Sequence, residues 1–125
     1  MVQNFKNLRV YQDAYALARD IYKATESLKG NYRIKDQIGG SSTSICTNLA
    51  EMSSFENKNQ QKQKISTCIG EANETEFWLD FYRDVGHLTE EKHKEFLNKL
   101  KPIRMSLFKL LGAIKKDREC SKMNE

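Results

Sequence analysis

Glu90-x-x-His93 is the spacing in this sequence that comes nearest to metal chemistry. A carboxylate and an imidazole three residues apart on a helix share a face, and paired units of this kind hold di-metal centres inside helical bundles. Such a centre needs two units at mid-bundle, whereas this one falls in the first turn of a helix and the only other histidine is His87. Cys46, Cys68 and Cys120 are odd in number and lack metal-ligand spacing, so they read as reduced, structurally incidental thiols. No Ser or Cys has a recognisable His partner for nucleophilic attack. No glycine-rich phosphate loop is present, and Gly39-Gly40 reads as a place of close helix packing. Catalysis, a bound metal and a cofactor are therefore not expected, which leaves recognition as the chemistry open to the chain.

Two sets of polar residues could carry recognition. Gln37, Asn48, Glu51, Glu74 and Glu76 sit within helical patterns, and any that face inward must be hydrogen-bonded or paired, because an isolated buried carboxylate is very costly. They read as a polar core network that fixes helix register, with a ligand or ion site as the other possibility. The second set is basic. Lys58, Lys62, Lys64, Lys99, Lys101, Arg104, Lys115, Lys116 and Arg118 could contact the phosphates of RNA or DNA, especially if assembly multiplies them by subunit.

The net charge of +4 conceals blocks of opposite sign. Residues 71–91 hold one Lys/Arg against seven Asp/Glu, and residues 92–125 hold ten against four. If the segments carrying these blocks are antiparallel neighbours, much of the apparent basic patch is neutralised within the chain.

The elements that must position these groups are helical. A chain of 125 residues with one proline suits one domain, residues 1–125, with few helix breaks. Val10, Ala14, Leu17, Ile21 and Leu28 recur at steps of three, four or seven, giving a helix from about residue 8 to Leu28, with Gly30 as its end signal. A second helix runs through Ile34, Ile38, Ser42, Ile45, Leu49 and Met52. A third reaches from about 58 to Val85 through Ile65, Ile69, Ala72, Glu76 and Leu79. Gly86 stops it, and Thr89 with Glu90 and Glu91 forms the cap and acidic first turn of a fourth. Pro102 should kink or locally break that last helix, and the tail from 117 to 125 should fray. Four helices with short turns pack most simply as an all-α, antiparallel up-down-up-down bundle.

One face is wider than such a bundle needs. Phe77, Trp78, Leu79, Phe81, Tyr82 and Val85 spread over roughly 200° of the third helix, against about 100° for an ordinary core stripe, and Phe77, Trp78, Phe81, Tyr82 and Val85 are the candidate interface residues among them. These residues either cap the end of the bundle or form a subunit interface, and the second reading predicts a homo-oligomer. Docking of another protein on the same face remains open. No run nears the roughly 18 apolar residues of a membrane span, and MVQNFKNLRVYQ lacks a signal-peptide core, so no membrane partner and a cytoplasmic setting are expected.

The run Phe5-x-x-Leu8-x-Val10-x-x-x-Ala14-x-x-Leu17-x-x-x-Ile21-Tyr22, then Gln37-Ile38, then Ser44-Ile45-x-x-Asn48-Leu49-Ala50-Glu51 resembles the bacterial 23S ribosomal RNA intervening-sequence protein family. Ile69-Gly70-Glu71-x-Asn73-Glu74-x-Glu76 and Asp84-x-Gly86-x-Leu88-Thr89-x-Glu91 extend the resemblance over nearly the whole chain. It implies a four-helix bundle that associates into a ring, typically a pentamer. A related branch, the accessory variability protein of diversity-generating retroelements, binds nucleic acid and partners a reverse transcriptase. Gly39 and Gly40 stand where the family usually carries two arginines, and Cys46 replaces a usual proline, so two charges expected of a nucleic-acid surface are missing. The expected function is a non-enzymatic oligomeric scaffold or adaptor, with a nucleic-acid-binding accessory protein as the alternative.

Overall fold

The computed structural model describes residues 4–26 and 32–123, with side chains described for 4–26 and 35–115. A 3-10 turn at Phe5–Asn7 precedes four helices: α1 (Arg9–Thr25), α2 (Tyr32–Met52), α3 (Lys58–Asp84) and α4 (Glu90–Met123). The expected end of the first helix at Leu28 and Gly30 lies outside the described residues. At the other end, α4 runs to Met123, through most of the segment expected to form the tail. Beyond Gly112 the sequence contains neither Gly nor Pro, and its Lys, Arg and Glu residues are good helix formers.

Side chains and turns punctuate the helices where the sequence places them. Asn57 opens α3, its Oδ1 accepting from the Gln60 amide at 3.1 Å. At the other end of α3, Gly86 has φ +83°, the His87 amide donates to the Tyr82 carbonyl at 2.8 Å, and the Gly86 amide donates to Arg83 at 3.0 Å. These two bonds form a Schellman stop, and the left-handed residue at its centre is the reason for glycine. Thr89 then caps α4 by accepting from the Lys92 amide at 3.1 Å. Pro102 lies on the exposed side of α4 and the helix runs on through it; the Asn98 carbonyl that loses its donor there belongs to the same solvent-facing turn region.

Cross-helix pairs fix the arrangement. Going up α3, Lys64 meets Glu51, Cys68 meets Ile45 and Thr75 meets Ser41, so α2 runs the opposite way. Glu76 meets Arg104 and Asp80 meets His93, so α4 also opposes α3. Helix α1 packs against α2 and α4, closing a ring of four neighbours around one core. That core contains Leu17 and Ile21 from α1, Ile38, Ile45 and Leu49 from α2, Ile65 and Leu79 from α3, and Phe96, Leu100 and Leu107 from α4. On α3 the buried positions are Ile65, Cys68, Ala72, Thr75, Leu79 and Tyr82, alternating steps of three and four. Ile69 and Glu76, expected on that stripe, lie on its flank and are only half-buried.

Candidate interaction surfaces

The outer side of α3 carries an aromatic ridge. Phe77 is 55% exposed, Val85 47% and Phe81 36%, while Trp78 is half-buried beside them. Their rings lock together: Phe77 meets Trp78 edge-on at 5.0 Å, Trp78 meets Phe81 edge-on at 5.8 Å, and Phe77 stacks on Phe81 at 6.1 Å. The Trp78 Nε1 is buried and has no hydrogen-bond acceptor among the described residues. Tyr82 does not belong to this surface. At 1% exposure it sits in the core, because its position on the alternating three-and-four stripe turns it inward while Phe77 and Phe81 point away.

A second apolar surface went unread in the sequence. Tyr11, Tyr15 and Tyr22 of α1, with Phe5 before it, form one wall of an open groove of about 460 Å³, and Thr43, Cys46, Thr47 and Ala50 of α2 form its floor and other side. The signal was available. The tyrosines repeat at steps of four and seven, on a face of α1 beside the buried Val10, Leu17 and Ile21. Gly39 and Gly40 were expected to mark close packing between helices. Instead none of the described residues lies within 4 Å of where their Cβ atoms would be, so the small residues of α2 leave open surface.

The polar core network is absent. Gln37, Glu51 and Glu74 are exposed, and Asn48 donates to the Ser44 carbonyl and hydroxyl of its own helix at 2.8 and 3.0 Å. Glu51 pairs with Lys64, and Glu76 accepts from Arg104 at 2.8 Å. The carboxylates lie on the flanks because burial would cost more than a register contact returns. Hydroxyls take their place in the core, where Thr75 and Ser41 hydrogen-bond at 3.0 Å.

Several of the expected phosphate-binding cations are occupied within the chain. Lys64 holds Glu51, Lys99 bridges Asp20 and Glu95 at 3.0 and 3.4 Å, and Arg104 holds Glu76 and Asn73. Lys58, Lys62, Lys101 and Lys115 have no ion-pair partner among the described residues. With α3 and α4 antiparallel, Lys58, Lys62 and Lys115 lie toward one end of the bundle. The side chains of Lys116 and Arg118 lie outside the described residues.

The model of the 23S rRNA-intervening sequence protein family matches residues 6–109, which is most of the chain. The chain belongs to this family. A solved structure with the same fold is a protein of unknown function from the S23 ribosomal protein family of Bacteroides thetaiotaomicron VPI-5482. It has a TM-score of 0.76 and 26% identity, over 82% of this chain and 97% of that one. No curated protein matches.

In this family member the Glu90-x-x-His93 pair is taken up by neighbours. His93 is buried, with Nε2 2.6 Å from Asp80 and Nδ1 3.4 Å from the Arg83 guanidinium, while Glu90 lies 3.8 Å from Arg83. A guanidinium only donates, so the geometry suits an imidazole that accepts at Nδ1 and donates from Nε2 to Asp80. Among the described residues no three His, Cys, Asp or Glu side chains converge as a metal site. Burial pushes the Cys46 thiol up to about 11 and the Cys68 thiol to about 12, so neither is primed as a nucleophile. No helix among the described residues is long and apolar enough to cross a membrane.

Proposed function

We propose that this family member is a non-catalytic assembly unit, a helical-bundle scaffold that associates with copies of itself through the outer aromatic face of α3. The observation that supports this reading is the ridge of Phe77, Phe81 and Val85. Large aromatics concentrated on one outer helix face are characteristic of interface centres, and contiguous apolar patches seldom stay open to water on monomers. The family resemblance supplies the number, a ring of five. The buried thiols of Cys46 and Cys68 suit a reduced, cytoplasmic setting.

Light scattering on the purified chain tests the proposal. The expected mass is near five times 14.6 kDa. A single species of 14.6 kDa at high concentration would overturn it and leave the ridge as a docking site for a different protein.

A second reading, nucleic-acid binding, is favoured by one observation: Lys58, Lys62 and Lys115, near one end of the bundle, have no ion-pair partner among the described residues. A ring would repeat that cluster in every subunit. Binding of this kind weakens steeply with salt, whereas protein docking on the aromatic face is far less salt-sensitive. Titration with single-stranded RNA and duplex DNA across a salt series therefore separates the two readings.

A further inference from the structure

The ridge on α3 and the groove between α1 and α2 lie on different sides of the bundle, so one chain cannot cover its own groove with its own ridge. We infer that the ridge of one copy seats in the α1/α2 groove of the next, making the contact head-to-tail. This inference rests on the assembly reading above and names the surfaces that reading leaves open.

Shape favours the match. The ridge is convex and already ordered by the mutual packing of Phe77, Trp78 and Phe81, so little side-chain freedom is lost on docking. Small Thr43, Thr47 and Ala50 line the α2 side of the groove and let large rings approach, while the tyrosines of α1 offer apolar faces to pack against.

Charge points to the same partner. Arg19 lines the groove and has no ion-pair partner among the described residues. Glu74 lies one turn before Phe77 and beside Glu71, a carboxyl that burial and then the Glu74 charge hold above its usual range. Neither carboxylate has a cation partner among the described residues. An incoming Arg19 supplies the missing positive charge at the acidic end of the ridge. Ridge-on-ridge pairing would not: a parallel pair sets Glu74 against Glu74, like charges that oppose association, and an antiparallel pair sets Glu74 beside Asp84, which Arg83 already holds at 3.1 Å. In either arrangement both grooves would stay uncovered. A head-to-tail contact also repeats, closing into a ring when the rotation between copies allows it.

Two variants test the geometry. Phe77→Glu breaks the ridge and keeps the groove; Tyr15→Glu breaks the groove and keeps the ridge. Both positions are more than half exposed, so each variant should fold, as circular dichroism would verify. Each alone is expected to be monomeric, with its assembly constant weakened about 30-fold or more. Mixed one to one, they retain one good ridge and one good groove, and the expected species is a heterodimer. A mixture that stays monomeric, or a Tyr15→Glu protein that keeps the wild-type mass, overturns the inference while leaving assembly through α3 intact. A monomeric wild type defeats the assembly reading itself. As a second check, Arg19→Glu should weaken assembly at least tenfold, and adding Glu74→Arg to the same chain should restore it; no restoration counts against the pairing.

Discussion

The hydroxyl of Thr75, fully buried on α3, lies 3.0 Å from the hydroxyl of Ser41 on α2. Ser41 donates its own proton to the Ile38 carbonyl at 3.2 Å, leaving its lone pairs for Thr75, whose proton is shared with the Glu71 carbonyl at 2.9 Å. This pair is the polar register contact of the core. Replacing Thr75 by the near-isosteric valine removes the cross-helix bond and should lower stability by about 1 kcal/mol. A double-mutant cycle with Ser41→Ala, read by urea denaturation, should show a coupling of roughly 0.5–1.5 kcal/mol. Additive single effects would mean that the two hydroxyls do not act together.

Gly86 gives a prediction at the α3–α4 turn. With φ +83° and none of the described residues within 4 Å of where a Cβ would stand, the residue there is constrained by backbone conformation and not by space. Gly86→Ala should therefore cost about 1–2 kcal/mol through the left-handed conformation alone. Asparagine, which tolerates that region better, should cost less. An alanine variant as stable as wild type in thermal melts would show that the turn can adopt another conformation.

Much of the fold was legible because its signals are local. Val10 to Ile21 repeat with helical period, Gly86 and Thr89 announce a stop and a start, and the four helices follow in order. The interaction surfaces were harder to read because they depend on which way a helix is rotated. On α3 the aromatic run is continuous, and only the set Ile65, Cys68, Ala72, Thr75, Leu79 and Tyr82 reveals that Tyr82 turns inward while Phe77 and Phe81 turn out. Reading Ile69 and Glu76 as stripe positions displaced that face by one residue and suggested carboxylates facing inward. The groove depends on two helices at once, Tyr11 and Tyr15 from one and Thr47 and Ala50 from the other, so neither segment alone shows it.

The buried thiols predict a loss of stability in alkali. Unfolded thiols titrate near 9.0, while burial pushes Cys46 up to about 11 and Cys68 up to about 12. Between these values the folded chain keeps protons that the unfolded chain releases. The thiol contribution is therefore complete below about pH 9 and is lost as pH rises through the folded values. Urea midpoints should fall from pH 8.5 to pH 11, and the fall should be shallower in a Cys46→Ala/Cys68→Ala protein, whatever its baseline stability. Equal slopes in the two proteins would exclude the thiols as the cause.

Tyr82 offers a substitution that should strengthen the fold. Its ring is core, 1% exposed, and meets the His87 ring edge-on at 6.4 Å. Its hydroxyl is buried with no hydrogen-bond partner among the described residues, and burial, aided by the nearby Asp36 charge, pushes the phenol up to about 12. In the unfolded chain that hydroxyl is hydrated, so folding strips its water and returns no bond from the described residues. Tyr82→Phe keeps the ring and its packing and deletes only the stranded group, so stability should rise by roughly 1 kcal/mol. The same change at Tyr22, which is 60% exposed, should leave stability within about 0.5 kcal/mol of wild type and serves as the control. Urea melts of the two single variants decide the matter: a Tyr82→Phe protein less stable than wild type would mean that its hydroxyl finds a partner in solution.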